Sequence, residues 1–429
     1  MTNKEVTKVV IVGGGTAGWM AAASLSRLIG KNIHVSLIES DEIGTIGVGE
    51  ATIPTMMTLH QLLKIDEREF LSAVQGTFKL GISFENWKDI NEDYIHSFGF
   101  TGQDCWAGGF QHFWLKGKQR GISEDFGHYS AELMAAKAGK FAVLPNNGLS
   151  YAYHMDASLY AKFLRKMAEK SAVERIEGKV VKVNVDTSSG GIEALLLESG
   201  QLIKGDLFID CSGFRGLLIN ETLGTSFDDW SHWLPCDRAV AVQTASVSAP
   251  IPFTRSIARD AGWQWRIPLQ SRVGNGLVFS SAHLSEEQAT DTLLNNIEGE
   301  ILNSPRVIKF RTGQRSQHWN KNVVALGLAA GFVEPLESTA IHMVQRGIIR
   351  LLQMFPQDGI QQPDVVEFNK QMTDEYLFIR DFVIMHYHVT RREDTAFWRH
   401  CKNMAIPDSL QHRLALFKQT GRVFQHAGD

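Results

Sequence analysis

The sequence predicts an α/β fold that contains a Rossmann-like parallel sheet. A β-branched run at residues 9–12 leads directly into a glycine-rich run at residues 13–18, and an alanine-rich stretch follows as far as about Ile29. A second apolar run, residues 33–38, ends in the carboxylate of Glu39. Strand, tight turn, helix and strand in this order are typical of the βαβ unit that binds a dinucleotide.

Composition excludes several classes of protein. The chain has 429 residues, of which 44% are hydrophobic, and these suffice for a large core. A net charge of -4 argues against nucleic acid as a partner. The four cysteines lie far apart without a C-x-x-C pair, so we expect neither a disulfide framework nor a metal site. No apolar signal core or membrane-length apolar run is present, which predicts a soluble, cytoplasmic protein.

The glycine run has the spacing G-x-G-x-x-G. Its first glycine, Gly13, permits the tight turn, and the second, Gly15, lets a pyrophosphate approach the backbone. The third, Gly18, lets the helix pack against the strand, while the helix N-terminus offers amide hydrogens to an anion. Glu39 lies about 20 residues further on, where a carboxylate suits a ribose hydroxyl.

Three separated nucleotide elements favour FAD over NAD as the cofactor. The first is the βαβ unit, which a glycine-spaced loop follows at residues 47–54 and could run alongside an extended cofactor. The second is a strand that ends in Asp210, shortly before Gly213. The third is an apolar strand that begins at Val323 and leads towards a helix that begins near Ser338. A simple Rossmann enzyme that uses NAD needs only the first element.

Three further segments carry a family resemblance. Trp263 and Trp265 lie two residues apart in an extended segment that stops at Pro268. Because side chains alternate between the two faces of a strand, both rings point to one face and form an aromatic wall. Lys79 is a single cation among apolar neighbours in F-K-L-G-I, and Glu337 lies in an E-S-T segment before a predicted helix. Together with the glycine run, these segments resemble the flavin-dependent tryptophan halogenase family, from about residue 8 to about residue 398.

The resemblance implies the architecture. The fold would be an FAD-binding, Rossmann-like domain of the flavoprotein monooxygenase type, with three layers and an interleaved, mostly helical substrate module. The whole chain, residues 1–429, would form one halogenase-like unit. Its FAD-binding module would lie mainly in residues 1–110, 150–235 and 300–350, and its substrate module mainly in residues 236–299 and 351–429.

The resemblance also implies site residues. Lys79 would be catalytic, either as a hydrogen-bond donor to hypohalous acid or as an amine that forms a haloamine. Glu337 would orient that acid and accept the proton of the halogenated ring, and the amides of Thr339 and Ala340 would bind the halide. The flavin contacts would be Gly13, Gly14, Gly15, Thr16, Ala17, Gly18, Glu39, Gly49, Ala51, Val180, Asp210 and Leu328. The substrate pocket and flavin shield would be Trp263, Trp265, Ile267, Pro268, His96, Phe98 and Ser338.

The implied reaction halogenates an electron-rich, indole-type aromatic. A separate NAD(P)H-dependent flavin reductase would supply FADH2, which reacts with O2 to give a C4a-hydroperoxide. Bound chloride or bromide would attack that species, and the resulting hypohalous acid would reach Lys79. Because the chain stops sooner than is usual in the family, at Asp429, a smaller or differently shaped indole or a phenol is at least as strongly expected as free tryptophan.

Two other functions share these nucleotide elements. An FAD-dependent aromatic monooxygenase would accept NAD(P)H directly and would need neither Lys79 nor the tryptophan wall. A non-catalytic flavin-binding protein would tolerate the loss of Glu337. A homodimer is compatible with the sequence, and a membrane is not expected as a partner.

Overall fold

The structure is a computed structural model that describes residues 5–30, 32–43, 49–106, 108–143 and 148–423. Gly47 and Val48 of the glycine-spaced loop lie outside the described residues. Among the residues that the structure does describe, none of the helices combines the length and the apolar character that a membrane crossing requires.

The described strands are numbered in chain order. They are β1 (Lys8–Val12), β2 (His34–Glu39), β3 (Gly49–Ala51), β4 (Thr77–Lys79), β5 (Gly81–Asp89), β6 (Glu92–Ser97), β7 (Ala152–Asp156), β8 (Glu174–Glu177), β9 (Val180–Val185), β10 (Ile192–Leu197), β11 (Leu202–Lys204), β12 (Leu207–Asp210), β13 (Phe227–Asp229), β14 (Arg238–Ala245), β15 (Thr254–Arg259), β16 (Gly262–Pro268), β17 (Arg272–Phe279), β18 (Arg306–Lys309), β19 (Gly313–Arg315), β20 (Trp319–Asn320), β21 (Val323–Ala325) and β22 (Gly331–Phe332).

The described α-helices are numbered in the same way. They are α1 (Thr16–Leu28), α2 (Met56–Leu62), α3 (Glu67–Ala73), α4 (Phe110–Gln119), α5 (Ala131–Lys137), α6 (Ala157–Lys170), α7 (Glu286–Leu294), α8 (Ala340–Gln353), α9 (Gln362–His388), α10 (Ala396–Asn403) and α11 (Asp408–Thr420). The helix that the sequence predicts after the glycine run is confirmed as α1, and the helix predicted to begin near Ser338 is confirmed as α8.

The chain forms two compact units, each assembled from three separate segments. The first unit consists of Met1–Gly76, Met155–Asp237 and Ile308–Ile379. The second unit consists of Thr77–His154, Arg238–Val307 and Arg380–Asp429.

The first unit contains the predicted Rossmann-like sheet. Its strand order is β20-β21-β12-β1-β2-β8, and β1 runs parallel to both β2 and β12. Val12 pairs with Ile38 on one side and with Asp210 on the other, so the carboxyl ends of the three strands meet at one edge. Strand β1 is almost wholly apolar and buried, as a central parallel strand is expected to be. The prediction of an α/β fold with a Rossmann-like core is confirmed.

The sequence predicts a mostly helical substrate module, and residues 351–429 do contain the helices α9, α10 and α11. The second unit, however, is rich in strands. It contains a seven-stranded sheet in the order β18-β14-β17-β16-β15-β5-β6. Residues 236–299, assigned to that module from the sequence, contribute the four strands β14 to β17 and only the helix α7. The reason is side-chain alternation: Val240, Val242 and Leu277 project from one face of the sheet into a core with Ala289 and Leu293 of α7.

Candidate active site

Two glycines of the run are required by close backbone packing within the first unit. The amide of Gly13 donates a hydrogen bond to the carbonyl oxygen of Ile38 at 2.8 Å. A Cβ atom on Gly13 would lie 2.3 Å from the carbonyl oxygen of Cys211, and one on Gly18 would lie 1.9 Å from the carbonyl oxygen of Gly13. These distances are too short for any side chain. Strand β1, helix α1 and the end of β12 are therefore packed at the turn.

The other two glycines define a cradle. A Cβ atom on Gly14 would lie 1.5 Å from Oε2 of Glu39, whereas a Cβ atom on Gly15 would meet no atom of the described residues within 4 Å. Gly15 is also the N-cap of α1, and no side chain caps this helix. Helix α1 thus presents first-turn amides and its positive dipole end beside an open space, which fits the pyrophosphate of a dinucleotide.

Glu39 closes the side of this cradle. Its carboxylate accepts hydrogen bonds from Trp19 Nε1 at 3.3 Å and from Arg175 Nε at 2.6 Å, and Arg165 Nη1 approaches it at 3.4 Å. The two arginines were not singled out from the sequence, because they follow Glu39 by more than 120 residues. A carboxylate has about four lone-pair sites, so Glu39 retains acceptor capacity for a ribose hydroxyl.

The cradle gives a testable prediction about Gly15. Its φ of -74° and ψ of -175° suit alanine, so Gly15→Ala should leave the apoprotein's free energy of unfolding unchanged or raise it by about 0.4–1 kcal/mol. The added methyl group would occupy the cradle, and we expect the Kd for FAD to rise roughly tenfold or more, about 1.4 kcal/mol. Fluorescence titration and urea unfolding measure the two effects. Gly14→Ala is the contrasting control, because its methyl group would displace Glu39. If FAD binding were weaker in Gly14→Ala but unchanged in Gly15→Ala, the cradle at Gly15 would be contradicted.

Asp210 supports the second nucleotide element through the backbone. Its buried carboxylate accepts hydrogen bonds from the amides of Leu218 and Ile219, at 2.7 and 2.8 Å, and from the amide and hydroxyl of Ser212. It thereby caps the π-helical segment Leu217–Thr222 and fixes the turn at Gly213. These contacts suggest an indirect role at the cofactor, and the predicted direct contact with flavin stays a prediction.

The remaining predicted flavin residues of the first unit occupy separate places. Gly49 and Ala51 are buried in β3. Val180 begins β9 and packs against the core cluster of the first unit. Leu328 lies in a 3-10 turn whose Gly327 has φ +63°, and a Cβ atom on that glycine would lie 2.9 Å from the Cβ atom of Ala17. The structure therefore brings the Leu328 turn to the start of α1.

The segment before α8 forms a buried helix start in the first unit. Residues 335–337 form a 3-10 turn, Ser338 has the left-handed conformation with φ +60°, and Thr339 is the N-cap of α8. Glu337, Ser338 and Thr339 are all buried, and the side chain of Thr339 makes no capping hydrogen bond. Because the Thr339 side chain does not cap this 14-residue helix, its N-terminus is suited to an anion such as a halide.

A partly buried polar network holds α8 in place. His342 Nδ1 lies 2.9 Å from Thr55 Oγ1, and His342 Nε2 lies 2.8 Å from Glu375 Oε1 of α9. Arg346 and Arg350 also pair with Glu375. Despite its burial, hydrogen bonds and the positive charges of these partners lower the pKa of Glu375 to about 2. The sequence did not reveal this network, since its members come from three distant segments.

The network predicts a stability effect for Glu375→Gln. Two arginines would lose their countercharge, and we expect the free energy of unfolding to fall by about 3 kcal/mol near neutral pH. Because folding lowers the pKa of Glu375 from 4.5 to about 2, its contribution is present above about pH 4.5 and is lost as the pH falls towards 2. Urea unfolding across this range should show a smaller acid loss in Glu375→Gln. Asp374→Asn, whose partner Lys370 is exposed, should change stability by less than about 1 kcal/mol; equal losses in the two variants would contradict the network.

Lys79 is fully buried within the second unit. It ends the short strand β4, which pairs with β7 so that Thr77 faces His154 and Lys79 faces the small Ala152. Its Nζ atom lies 5.2 Å from the centre of the Phe98 ring. Phe98 is held there because its amide donates to the carbonyl oxygen of Leu80 at 2.8 Å. A cation over an aromatic face in a buried site is favourable, which explains how a lysine is accommodated there.

The tryptophan wall lies in β16 of the same unit. Trp263 and Trp265 are both buried, and their ring centres lie 6.2 Å apart. Trp265 rests on Gly276 of β17, where a Cβ atom would lie 2.1 Å from its ring. Gln264, between the two tryptophans, instead donates to the carbonyl oxygen of Asn296. The predicted alternation of faces is therefore confirmed, and Ile267 and Pro268, both buried, continue the strand.

His96 and Phe98 flank the Lys79 segment. His96 pairs with Ile82 across β5 and β6, and its exposed side chain contacts the Phe382 ring with centres 5.7 Å apart. The structure thus places Lys79, Phe98 and His96 around the strands β4 to β6.

Comparisons with known proteins identify the family. The sequence model of the family described as "Tryptophan halogenase" matches residues 8–429. The tryptophan 7-halogenase RebH of Lentzea aerocolonigenes is 34% identical, and the alignment covers 99% of this chain and 84% of RebH. The 7-chloro-L-tryptophan 6-halogenase KtzR of Kutzneria sp. is 36% identical, with 95% and 84% covered.

Solved structures agree with this result. A flavin-dependent halogenase from Xanthomonas campestris superposes with a TM-score of 0.98 at 57% identity, over 99% of this chain and 86% of that one. The flavin-dependent halogenase BrvH from Brevundimonas sp. BAL3 superposes with a TM-score of 0.94 at 45% identity, over 99% and 87%. The predicted halogenase function is confirmed over the monooxygenase and non-catalytic alternatives. The chain belongs to the tryptophan halogenase family and is a flavin-dependent halogenase.

Proposed function

We propose that this enzyme uses FADH2, O2 and chloride or bromide to halogenate an electron-rich, indole-type aromatic at Lys79. The observation that carries the proposal is the complete burial of Lys79 over the Phe98 ring, in a unit that also contains the tryptophan wall. Burial of a lysine without such a role would be a net cost in folding free energy, since a strongly hydrated ammonium group loses its water there.

FAD fits the first unit. The cradle at Gly15, the carboxylate of Glu39 and the start of α1 would hold the pyrophosphate and ribose. Flavin contacts are further assigned to the rest of the run, Gly13, Gly14, Thr16, Ala17 and Gly18, and to Gly49, Ala51, Val180, Asp210 and Leu328. When bound and reduced, the flavin supplies with O2 the oxidising equivalent that converts halide to hypohalous acid.

The halide would bind at the start of α8. The amides of Thr339 and Ala340 would donate to it, and Ser338 would line the same turn. A backbone amide serves whatever the side chain, so alanine at position 340 still allows this contact. The absence of a side-chain cap at Thr339 supports the assignment.

Lys79 would present the active halogen to the aromatic substrate, either by donating a hydrogen bond to hypohalous acid or as a haloamine. Glu337 would orient the acid and accept the proton that the ring loses on substitution. Trp263, Trp265, Ile267 and Pro268 would keep organic substrate away from the flavin. His96 and Phe98 would contact the substrate ring.

The proposal also includes a separate flavin reductase that uses NAD(P)H. A homodimer stays a prediction.

The test is a mass-spectrometric assay with FAD, bromide or chloride, and indole, tryptophan or a phenol as substrate. Supply of reduced flavin by an unrelated reductase should yield halogenated product, whereas NADH without a reductase should yield none. Product formation from NADH alone would contradict the two-component arrangement, and no halogenated product from any of the three substrates would contradict the proposed substrate class.

A further inference from the structure

The strand pair that carries Lys79 contains a second buried basic residue, His154. Strands β4 and β7 are antiparallel, and Thr77 lies opposite His154 while Lys79 lies opposite Ala152. Alternation places Thr77, Lys79, His154 and Ala152 on one face, with Lys79 and His154 as diagonal neighbours. Both basic side chains are completely buried.

A hydrogen-bonded chain fixes the imidazole of His154. Thr77 Oγ1 donates to the carbonyl oxygen of Pro268 at 2.7 Å, which uses its only hydrogen. Thr77 Oγ1 must therefore accept a hydrogen bond from His154 Nδ1, which lies 3.0 Å away, so Nδ1 carries a hydrogen. His154 Nε2 lies 2.9 Å from Thr254 Oγ1 and, in the neutral ring, accepts the hydrogen of that hydroxyl. The two ring nitrogens of His154 then each have one hydrogen-bonding role: Nδ1 donates to Thr77 and Nε2 accepts from Thr254.

The chain joins four elements of the second unit. Thr77 belongs to β4, His154 to β7 and Thr254 to the start of β15, while Pro268 ends β16, the strand of the tryptophan wall. A shift of β4 would break the bond between Thr77 and Pro268 and the bond between Thr77 and His154 together. The network therefore fixes the position of Lys79, two residues along β4, relative to the end of the wall.

We propose that His154 is a positioning residue for Lys79, which holds the lysine's strand at the tryptophan wall and keeps an uncharged imidazole of fixed orientation beside the ammonium group. The inference deepens and rests on the proposed function of Lys79. It assigns to His154 no contact with substrate or flavin.

Electrostatics supports this geometry. Burial, and secondly the positive charge of Lys79, lower the pKa of His154 well below its usual value. The elements packed around the imidazole face it with the hydroxyls of Thr77 and Thr254, and the charge that acts on it is that of Lys79. A second positive charge here would disfavour the lysine's own ammonium form. By reciprocity, removal of the lysine charge must raise the pKa of His154.

The first experiment measures this coupling without any turnover. Imidazole NMR of the full chain, with the His154 signal assigned by its loss in His154→Phe, follows its titration in wild type and in Lys79→Met. We expect a higher His154 pKa in Lys79→Met and no change in the control Lys88→Met, a surface lysine paired with Glu92. An unchanged His154 pKa in Lys79→Met would overturn the proposal even if Lys79 proves essential for halogenation.

The second experiment tests positioning. Thr254→Val keeps the side-chain shape but removes the hydroxyl that holds His154 Nε2, and we expect kcat for bromination to fall about 10- to 100-fold with KM nearly unchanged. Thr254→Ser should restore most of the activity. Thr244→Val is the matched control, because it also removes a buried hydroxyl from the seven-stranded sheet that contains Thr254. The hydroxyl of Thr244 is bonded to Asn275.

The outcomes separate the proposals. A kcat loss in Thr254→Val that Thr244→Val does not share, at similar thermal stability, supports the positioning role. Equal kcat in Thr254→Val and wild type, or equal losses in both valine variants, would overturn it. Retained halogenation in Lys79→Met would instead refute the proposed function, and the NMR titration would still decide the coupling.

Discussion

Lys79→Met should reduce halogenation by at least about a thousandfold while FAD binding is retained. Methionine has a similar length and tolerates an irregular apolar site, so the buried position should remain packed. What is lost is the only group in F-K-L-G-I that can donate to hypohalous acid or become a haloamine. A rate loss of this size corresponds to about 4 kcal/mol of transition-state stabilisation. The measurement is steady-state bromination of indole with an added reductase.

A matched control distinguishes the loss of the amine at Lys79 from the loss of one positive charge. Lys88→Met also removes a lysine, but from the exposed part of β5, where it pairs with Glu92. We expect wild-type turnover from that variant. Flavin titration of Lys79→Met should give the wild-type Kd, since the FAD cradle belongs to the first unit. Bromination by Lys79→Met within tenfold of wild type would refute the role of Lys79.

Glu337→Gln should lower kcat by about 100-fold, the usual contribution of a positioned acid or base. The amide has the shape of the carboxylate but cannot accept the proton that the ring loses. Glu337 is buried at the end of the 3-10 turn that precedes Thr339, so the backbone of the halide site should be preserved. Initial rates at saturating bromide and substrate measure the effect, and KM for bromide should change little.

Glu334→Gln provides the comparison within the same turn. Glu334 is also a buried glutamate, three residues earlier, at a position before a helix where a carboxylate commonly serves as a cap. We expect any effect of Glu334→Gln to appear as lower thermal stability rather than lower kcat per folded enzyme. If Glu334→Gln reduced kcat as strongly as Glu337→Gln, the assignment of the base to Glu337 would be wrong.

The first unit was largely predictable from the sequence because its signals are local. Residues 9–18 contain a buried strand, a glycine turn and a helix start in consecutive positions, and the structure has them as β1, the cradle and α1. The φ of +113° at Gly13 agrees with the tight turn, and the close approach at Gly18 confirms the packing reason for glycine there. The faces of Trp263 and Trp265 follow from the period of two in a strand in the same way.

The rest depends on contacts between distant residues. The arginines that hold Glu39, the Glu375 network at α8 and the chain from Thr254 to Pro268 each join segments that lie more than 100 residues apart or on separate elements. The seven-stranded sheet was missed for a similar reason, since short apolar runs do not reveal their pairing partners. The role of His154 was not predictable, because it lies in the short buried strand β7 and a buried histidine needs two partners that the sequence does not show.

The most direct test of the central claim is a single mass-spectrometric comparison. Flavin-loaded wild type and Lys79→Met would each receive an unrelated flavin reductase, NADH, bromide and indole in air. We expect a product with the paired isotope peaks of bromine from wild type and none from Lys79→Met. An oxygen-shifted product without bromine, or brominated product from both proteins, would contradict it.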